Sequence, residues 1–202
     1  TVRVTRATCG AGLREGTGFV AGPHLIVTNA HVVAGTADPG TSVRVVDGDG
    51  RSHRGRVVQY APRDDLAVVR VDTLDAAALP LATEVVAGTT GWVYGHPDGR
   101  SIRVRPFRAG AETTAVLPDG DGGEPLRRRI VAVRALLAHG DSGSALVATD
   151  GTVIGVAFAV SPEDPSLSLA VAPSAVRAAL GAAESAGPDA SEVPTGTCST
   201  AG

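Results

Sequence analysis

Apolar residues fall in short, valine-rich runs along this chain, each closed by Gly, Pro, Asp or Asn. Gly16–Val20, Leu25–Asn29, Ser42–Val46, Arg56–Tyr60 and Leu66–Val71 form a first set of predicted strands. A second set follows at Thr90–Tyr94, Ile102–Ala109, Ile130–Arg134, Ala145–Val147, Val153–Ala159 and Leu167–Val171. Runs of this length and valine content favour strands over helices. Many of them, separated by turn signals, suggest barrels or a sandwich. An Ala/Pro-rich connection over residues 73–88 splits the runs, so the reading is an all-β protein of two packed six-stranded barrels. The first would occupy residues 10–82 and the second 83–172, with a cleft between them. One helix is predicted over 173–183, where Pro173 and Ser174 supply the start and Ala175, Val176, Ala179 and Leu180 the apolar stripe. Residues 184–202, rich in Gly, Pro, Ser and acids, read as a tail returning to the N-terminus.

Composition refines this picture. Among 202 residues 43% are apolar but only 3% aromatic, so the core must be built from Val, Ala and Leu. Lysine and methionine are absent, and arginine carries all the positive charge. A net charge of −3 gives no support to nucleic-acid binding, which requires a basic face. No apolar stretch approaches the roughly 18 residues of a membrane span. Membrane attachment is therefore expected only through a segment before residue 1, with Thr1 as a processing boundary. The two D-G-D-G segments, Asp47–Gly50 and Asp119–Gly122, lack the remaining ligands of a calcium loop and read as hairpin turns. Arg127–Arg129 reads as a solvated strand start. No metal site and no cofactor are expected.

The chain has two cysteines, Cys9 and Cys198, one near each end. In a reducing compartment they would be unrelated thiols. Their place outside the predicted core favours a disulfide that ties the termini together in an oxidising compartment. Closing so long a loop stabilises by roughly 5 kcal/mol in the chain-entropy model.

The chemistry is concentrated in residues 138–146, A-H-G-D-S-G-S-A-L. Glycines on either side of Asp141-Ser142 present one hydroxyl on a tight turn and let backbone N–H groups approach an oxygen in front of it. A serine is a weak nucleophile without an adjacent base, and the base needs an orienting group. Both types of residue stand upstream: His31 in T-N-A-H-V after the run Leu25-Ile26-Val27, and Asp65 opening the run Leu66–Val69. Asp64 competes for the acid's role; Asp65 is preferred because it directly precedes the apolar strand. Taken singly, His31 reads as a satisfied core histidine and Asp65 as a turn former, so the order and contexts together carry the weight.

T-N-A-H-V, D-D-L-A-V-V and G-D-S-G-S resemble the motifs of the trypsin/chymotrypsin fold, and more closely of its bacterial HtrA-like branch. G-T-G-F-V at Gly16–Val20 and Y-G-H-P at Tyr94–Pro97 agree with it. The end cysteines make the chain most similar to the membrane-anchored periplasmic acid-resistance serine proteases of actinobacteria (the MarP type), over about residues 9–198. The resemblance implies a serine endopeptidase acting on envelope or exported proteins, the chain itself included, in acid or oxidative stress. Ser142 would attack the scissile carbonyl, His31 would move the proton and Asp65 would hold the imidazole. The N–H groups of Gly140 and Ser142 would form the oxyanion hole, with donors worth about 3–4 kcal/mol each.

Alignment to that family puts apolar Leu136 at the floor of the primary specificity pocket, which disfavours cleavage after Arg or Lys. Substrate backbone would pair with Ala159-Val160 as an added strand. His139 is either a solvent-facing loop residue or a rim group that makes recognition depend on pH. Three departures stand out. Ser144-Ala145 replaces the usual Gly-Pro after the nucleophile turn. Phe158 stands where many relatives place a hydroxyl that supports the acid. The N-terminus is not the Ile-Val type, so Asp141 needs a partner other than an inserted amine. Loop 118–125 is a candidate mobile element near the cleft. The alternative reading is a catalytically silent, peptide-binding pseudoprotease. The expected location is periplasmic or extracytoplasmic, membrane-tethered in the full-length protein, and the expected state is a monomer.

Overall fold

The most apolar runs become strands buried on both faces, while the others alternate between a core and solvent. In the computed structural model, which describes residues 1–7, 12–35, 42–99, 101–118, 124–161 and 164–196, twelve strands and two helices alternate with short turns. The first barrel contains β1 (Val2–Ala7), β2 (Leu13–Gly22), β3 (Leu25–Thr28), β4 (Val43–Val46), β5 (Ser52–Ala61) and β6 (Leu66–Arg70). A single helical turn, α1 (Ala30–Val33), follows β3. The second barrel contains β7 (Thr90–Gly95), β8 (Arg103–Leu117), β9 (Leu126–Arg134), β10 (Ala145–Ala148), β11 (Val153–Val160) and β12 (Leu167–Val171), and α2 (Pro173–Ala186) ends the folded part. Both sheets close, in the orders β1-β2-β3-β6-β5-β4 and β10-β11-β12-β9-β8-β7. All pairs are antiparallel.

Alternation sorts the side chains into three cores. Ile26, Ala67 and Val69 point into the first barrel, among Val4, Val43, Val45 and Val57. Their neighbours Leu25, Val27, Leu66 and Val68 point the other way, against Ala145, Val153, Val156 and Val171 of the second barrel. The third core, around Val93, Phe107, Val133, Leu146 and Ile154, fills the second barrel. Strands buried on both faces lose the polar alternation of a surface sheet, which is why β3 and β6 read as unbroken apolar runs. Helix α2 lays Val176, Ala179, Leu180 and Ala183 onto the inter-barrel core. The cleft between the barrels is therefore set by a shared apolar seam and not by a hinge.

Two features depart from the sequence reading. Strand β1 was not among the predicted strands and lies ahead of residue 10; it pairs with both β2 and β4 and closes the first barrel. Its pattern misleads because Thr5 and Arg6 are buried along with Val2 and Val4. Strands β8 and β9 also extend beyond their apolar parts, pairing as a ribbon from Glu112↔Val131 out to Leu117↔Leu126. Beyond α2 the chain runs back over the first barrel. Arg56 donates to the carbonyls of Ala190 and Pro188 at 3.1 and 2.8 Å, the Val193 N–H to Val57 at 2.8 Å, and Gly35 N–H to Thr195 at 3.0 Å. Arg6 meets Glu192 at 2.9 Å. Cys9, Cys198 and most of loop 118–125 lie outside the described residues.

Candidate active site

His31 sits on the helical turn that ends β3, and its neighbours fix it. Asn29 donates from Nδ2 to the Asp65 carbonyl at 2.8 Å, which ties the start of α1 to the start of β6. Asp65 occupies the left-handed region (φ 53°), after the tight turn Pro62–Asp64. Aspartate tolerates that conformation better than most side chains. Its carboxylate accepts the His31 backbone N–H at 3.0 Å and reaches His31 Nδ1 with Oδ2 at 2.8 Å. Asp65, not Asp64, therefore contacts the imidazole, and the donor that compensates for Phe158 is the histidine's own backbone. The Asp65 side chain is 10% exposed and that of His31 42%, so the acid is shielded while the ring opens to the cleft. A carboxylate on Nδ1 holds the proton there and leaves Nε2 as the basic atom.

The Ser142 turn is built in the second barrel and clamped onto the first. Gly140 and Gly143 have φ of +89° and +86°. A Cβ at Gly143 would stand 1.9 Å from the Thr17 carbonyl, and one at Gly140 would stand 2.4 Å from the His96 carbonyl. Both positions therefore require glycine, for space as well as for dihedral angles. Thr17, fully buried on β2, holds the turn from three sides. Its N–H donates to the Ser142 carbonyl at 2.8 Å, its Oγ1 donates to the Gly140 carbonyl at 2.8 Å, and the same Oγ1 accepts the His96 N–H at 2.9 Å. Sequence reasoning missed Thr17, although it lies inside the G-T-G-F-V motif.

The orientation of the oxyanion turn follows from one peptide plane. The His139 carbonyl accepts the Asp98 N–H at 3.0 Å, and no peptide bond is cis. In a trans peptide the N–H points opposite to the carbonyl, so the Gly140 N–H faces away from the Pro97–Gly99 turn. Among the described residues it makes no hydrogen bond, nor does the Ser142 N–H. The His139 side chain is exposed.

Asp141 is 1% exposed and does find another partner: Arg105 of β8 forms an ion pair with Oδ2, which also accepts the Ala138 N–H at 2.8 Å. Burial pushes the Asp141 carboxyl above the usual carboxylate range, while the Ala138 N–H and Arg105 pull it down.

Between the barrels lies a cavity of about 750 Å³ lined by His31 and Asp65 on one side and by Phe158, Ala159 and Val160 on the other. Ala159 and Val160 thus lie along the cleft. Leu136 does not form a pocket floor. Strand β9 ends at Arg134, Ala135 turns into the second core, and Leu136 points outward at 67% exposure. No group of His, Cys, Asp and Glu among the described residues is arranged to hold a metal, and no helix among them is long and apolar enough to cross a membrane.

Residues 16–156 match the model of the trypsin-like peptidase domain. The chain is 37% identical over 153 residues to the serine protease Rv3671c of Mycobacterium tuberculosis, covering 74% of this chain and 37% of that protein. It is 34% identical over 149 residues to the mitochondrial serine protease HTRA2 of Bos taurus, covering 71% of this chain and 31% of that one. It thus spans about a third of the length of these curated relatives. The crystal structure of the Rv3671c protease in its active form superimposes with a TM-score of 0.87 at 32% identity, covering 98% of this chain and 84% of that one. The chain belongs to the trypsin-like peptidase family and is a serine protease domain of the trypsin/HtrA type.

Proposed function

We propose that this domain is a serine endopeptidase in which His31, Asp65 and Ser142 act as a triad. The observation that carries the reading is the shielded Asp65 carboxylate on Nδ1 of a cleft-facing His31, together with a Ser142 turn that only glycine-flanked sequence permits. Ser142 Oγ adds to the scissile carbonyl carbon as His31 Nε2 takes its proton. The tetrahedral oxyanion is met by the N–H groups of Gly140 and Ser142. Collapse expels the amine, which receives the proton from His31 and leaves an acyl group on Ser142. Water, deprotonated by the same ring, then releases the acid. Substrate enters as a strand beside Ala159 and Val160.

The substrates on this reading are envelope or exported proteins, the location is extracytoplasmic with a membrane tether outside this sequence, and the setting is acid or oxidative stress. These points rest on the resemblance to relatives. The Cys9–Cys198 bridge belongs to the same reading. The Arg6–Glu192 pair brings the two arms together three residues before Cys9 and six before Cys198. An extended chain covers such gaps at about 3.3–3.6 Å per residue. Intact mass before and after reduction tests it: a gain of about two hydrogens per chain is expected, and no gain removes the bridge. For the activity, an unstructured protein substrate is incubated with wild type and Ser142→Ala. We expect internal cleavage by the wild type alone; peptide binding without cleavage by a folded wild type would favour the silent pseudoprotease.

A further inference from the structure

Arg128 is an anomaly in the cleft wall. It lies on β9, only 9% exposed, yet it lines the same cavity as His31 and Val160. Its Nε donates to the Arg63 carbonyl at 2.7 Å and one terminal nitrogen to the Pro62 carbonyl at 3.3 Å. Its guanidinium carbon stands 5.8 Å from the centre of the Phe158 ring. Among the described residues no carboxylate comes within ion-pair distance of it. A guanidinium has five N–H donors, so two backbone carbonyls leave donors over. A buried cation without a counter-ion is costly unless something supplies one. Among the described residues the rest of the lining repeats this bias: Arg14 and Arg63 also border the cavity, and the one acid, Asp65, is already committed to His31.

Resting on the endopeptidase reading, we propose that Arg128 is a specificity-determining residue that takes a carboxylate of the substrate, so that this cleft selects peptides with an acidic side chain on the N-terminal side of the scissile bond. Along an added strand successive side chains point to opposite faces. In the pose of the endopeptidase reading, the residue before the scissile bond would turn into the second barrel beside Ser142, so the second and fourth residues before it (P2 and P4) would point back towards His31 and the Pro62–Asp64 turn, to whose carbonyls Arg128 donates. Leu126 stands two residues from Arg128 on the same face of β9, and with its partner Leu117 it gives the cavity an apolar wall that suits the methylene stem of a glutamate. Arg128 thus combines an apolar sleeve with a charged end, the chemistry of a glutamate subsite and not of a lysine one.

The test uses fluorogenic peptides that share an apolar residue at P1 and differ only in Glu, Gln or Lys at P2 or at P4. Charge-assisted hydrogen bonds are roughly twice as strong as neutral ones, so kcat/KM for Glu should exceed that for Gln by roughly tenfold at one of the two positions. Lys should be the poorest. The Glu:Gln ratio should shrink towards one as salt rises, and should reach one as pH falls below the ordinary glutamate value of about 4.3. In Arg128→Met the ratio should fall towards one, while Arg128→Lys keeps part of it. Arg128 also braces the turn before Asp65, so Arg128→Met will slow every peptide; the ratio, not the rate, is the readout. A Glu:Gln ratio of one or less at both positions in wild type overturns the proposal, as does a preference that Arg128→Met leaves intact. Cleavage of the Gln peptide reads the endopeptidase activity separately. If no peptide is cleaved, fluorescence anisotropy with labelled Glu and Gln peptides on Ser142→Ala decides the subsite: tighter binding of Glu supports it and equal binding refutes it.

Discussion

Replacing Arg105 by Gln isolates the ion pair beneath the oxyanion turn. Asp141 is 1% exposed and the Arg105 side chain 19%, so the pair is largely removed from water. Removing one partner of a buried pair costs about 3–5 kcal/mol, because the other charge is left uncompensated. Asp141 keeps the Ala138 N–H on Oδ2, while its Oδ1 has no partner among the described residues. We therefore expect the lower end, about 3 kcal/mol at pH 8. For a domain of this size that lowers Tm by roughly 6–12 °C. The cost depends on pH with a definite sign. Burial holds the folded-state pKa of Asp141 above its unfolded value. Between the two values the folded state binds more protons, so ionisation subtracts stability as pH rises through the window. Without Arg105 the folded value rises further and the window widens upward. The loss in Arg105→Gln should accordingly be large at pH 8 and much smaller at pH 5. Urea unfolding of wild type, Arg105→Gln and Arg105→Gln/Asp141→Asn at both pH values measures this. The double variant should regain most of the stability and lose the extra pH dependence. A loss under about 1 kcal/mol at pH 8, well below the buried-pair range, would refute the reasoning. So would an equal loss at pH 5.

Three further outcomes follow from the same geometry. Thr17→Val keeps the shape but removes the hydroxyl shared by the Gly140 carbonyl and the His96 N–H; unpaired buried groups cost about 1–3 kcal/mol each. We expect kcat to fall more than KM rises, and unchanged kinetics would show that the clamp does not align the turn. Gly140→Ala should cut kcat/KM by 100-fold or more, since its Cβ would press on the His96 carbonyl at 2.4 Å and on the Asp98 N–H at 2.7 Å; near-native activity in a folded variant contradicts the orientation derived for the 139–140 peptide. Asp47 is held below the usual carboxylate range first by its side-chain hydrogen bond to His53 and further by the N–H groups of Arg51 and Asp49. Its contribution is present above the unfolded value of about 3.9 and lost as pH falls through the lower folded value. Melting curves of Asp47→Asn between pH 6 and pH 2 (about two units either side of that value) should show a flatter acid limb than wild type.

Legibility in the sequence follows how local the physics is. Strands buried on both faces, such as Leu25–Thr28 and Leu66–Arg70, announce themselves as unbroken apolar runs. The Gly140–Gly143 turn does so too, because its glycines answer a dihedral and steric demand within a few residues. Strand β1 hid because Arg6 is buried by a partner 186 positions away, at Glu192. Arg105, Thr17 and Arg128 hid for the same reason: each serves the site through a contact made by the fold, and a lone Arg or Thr in a strand carries no signal of it. Leu136 misled in the opposite sense. Its place relative to Ser142 suggested a pocket floor, but where β9 ends the side chain turns outward.

The measurement that bears most directly on the triad is the rate of covalent labelling by a fluorophosphonate, with the modified residue mapped by peptide mass, in wild type, Ser142→Ala and Asp65→Asn. A single adduct on Ser142 is expected, absent in Ser142→Ala and formed about 10⁴-fold more slowly in Asp65→Asn, whose histidine would hold the wrong tautomer. An adduct elsewhere, or labelling of folded wild type no faster than of Asp65→Asn, would contradict a Ser142 nucleophile activated through His31 and Asp65.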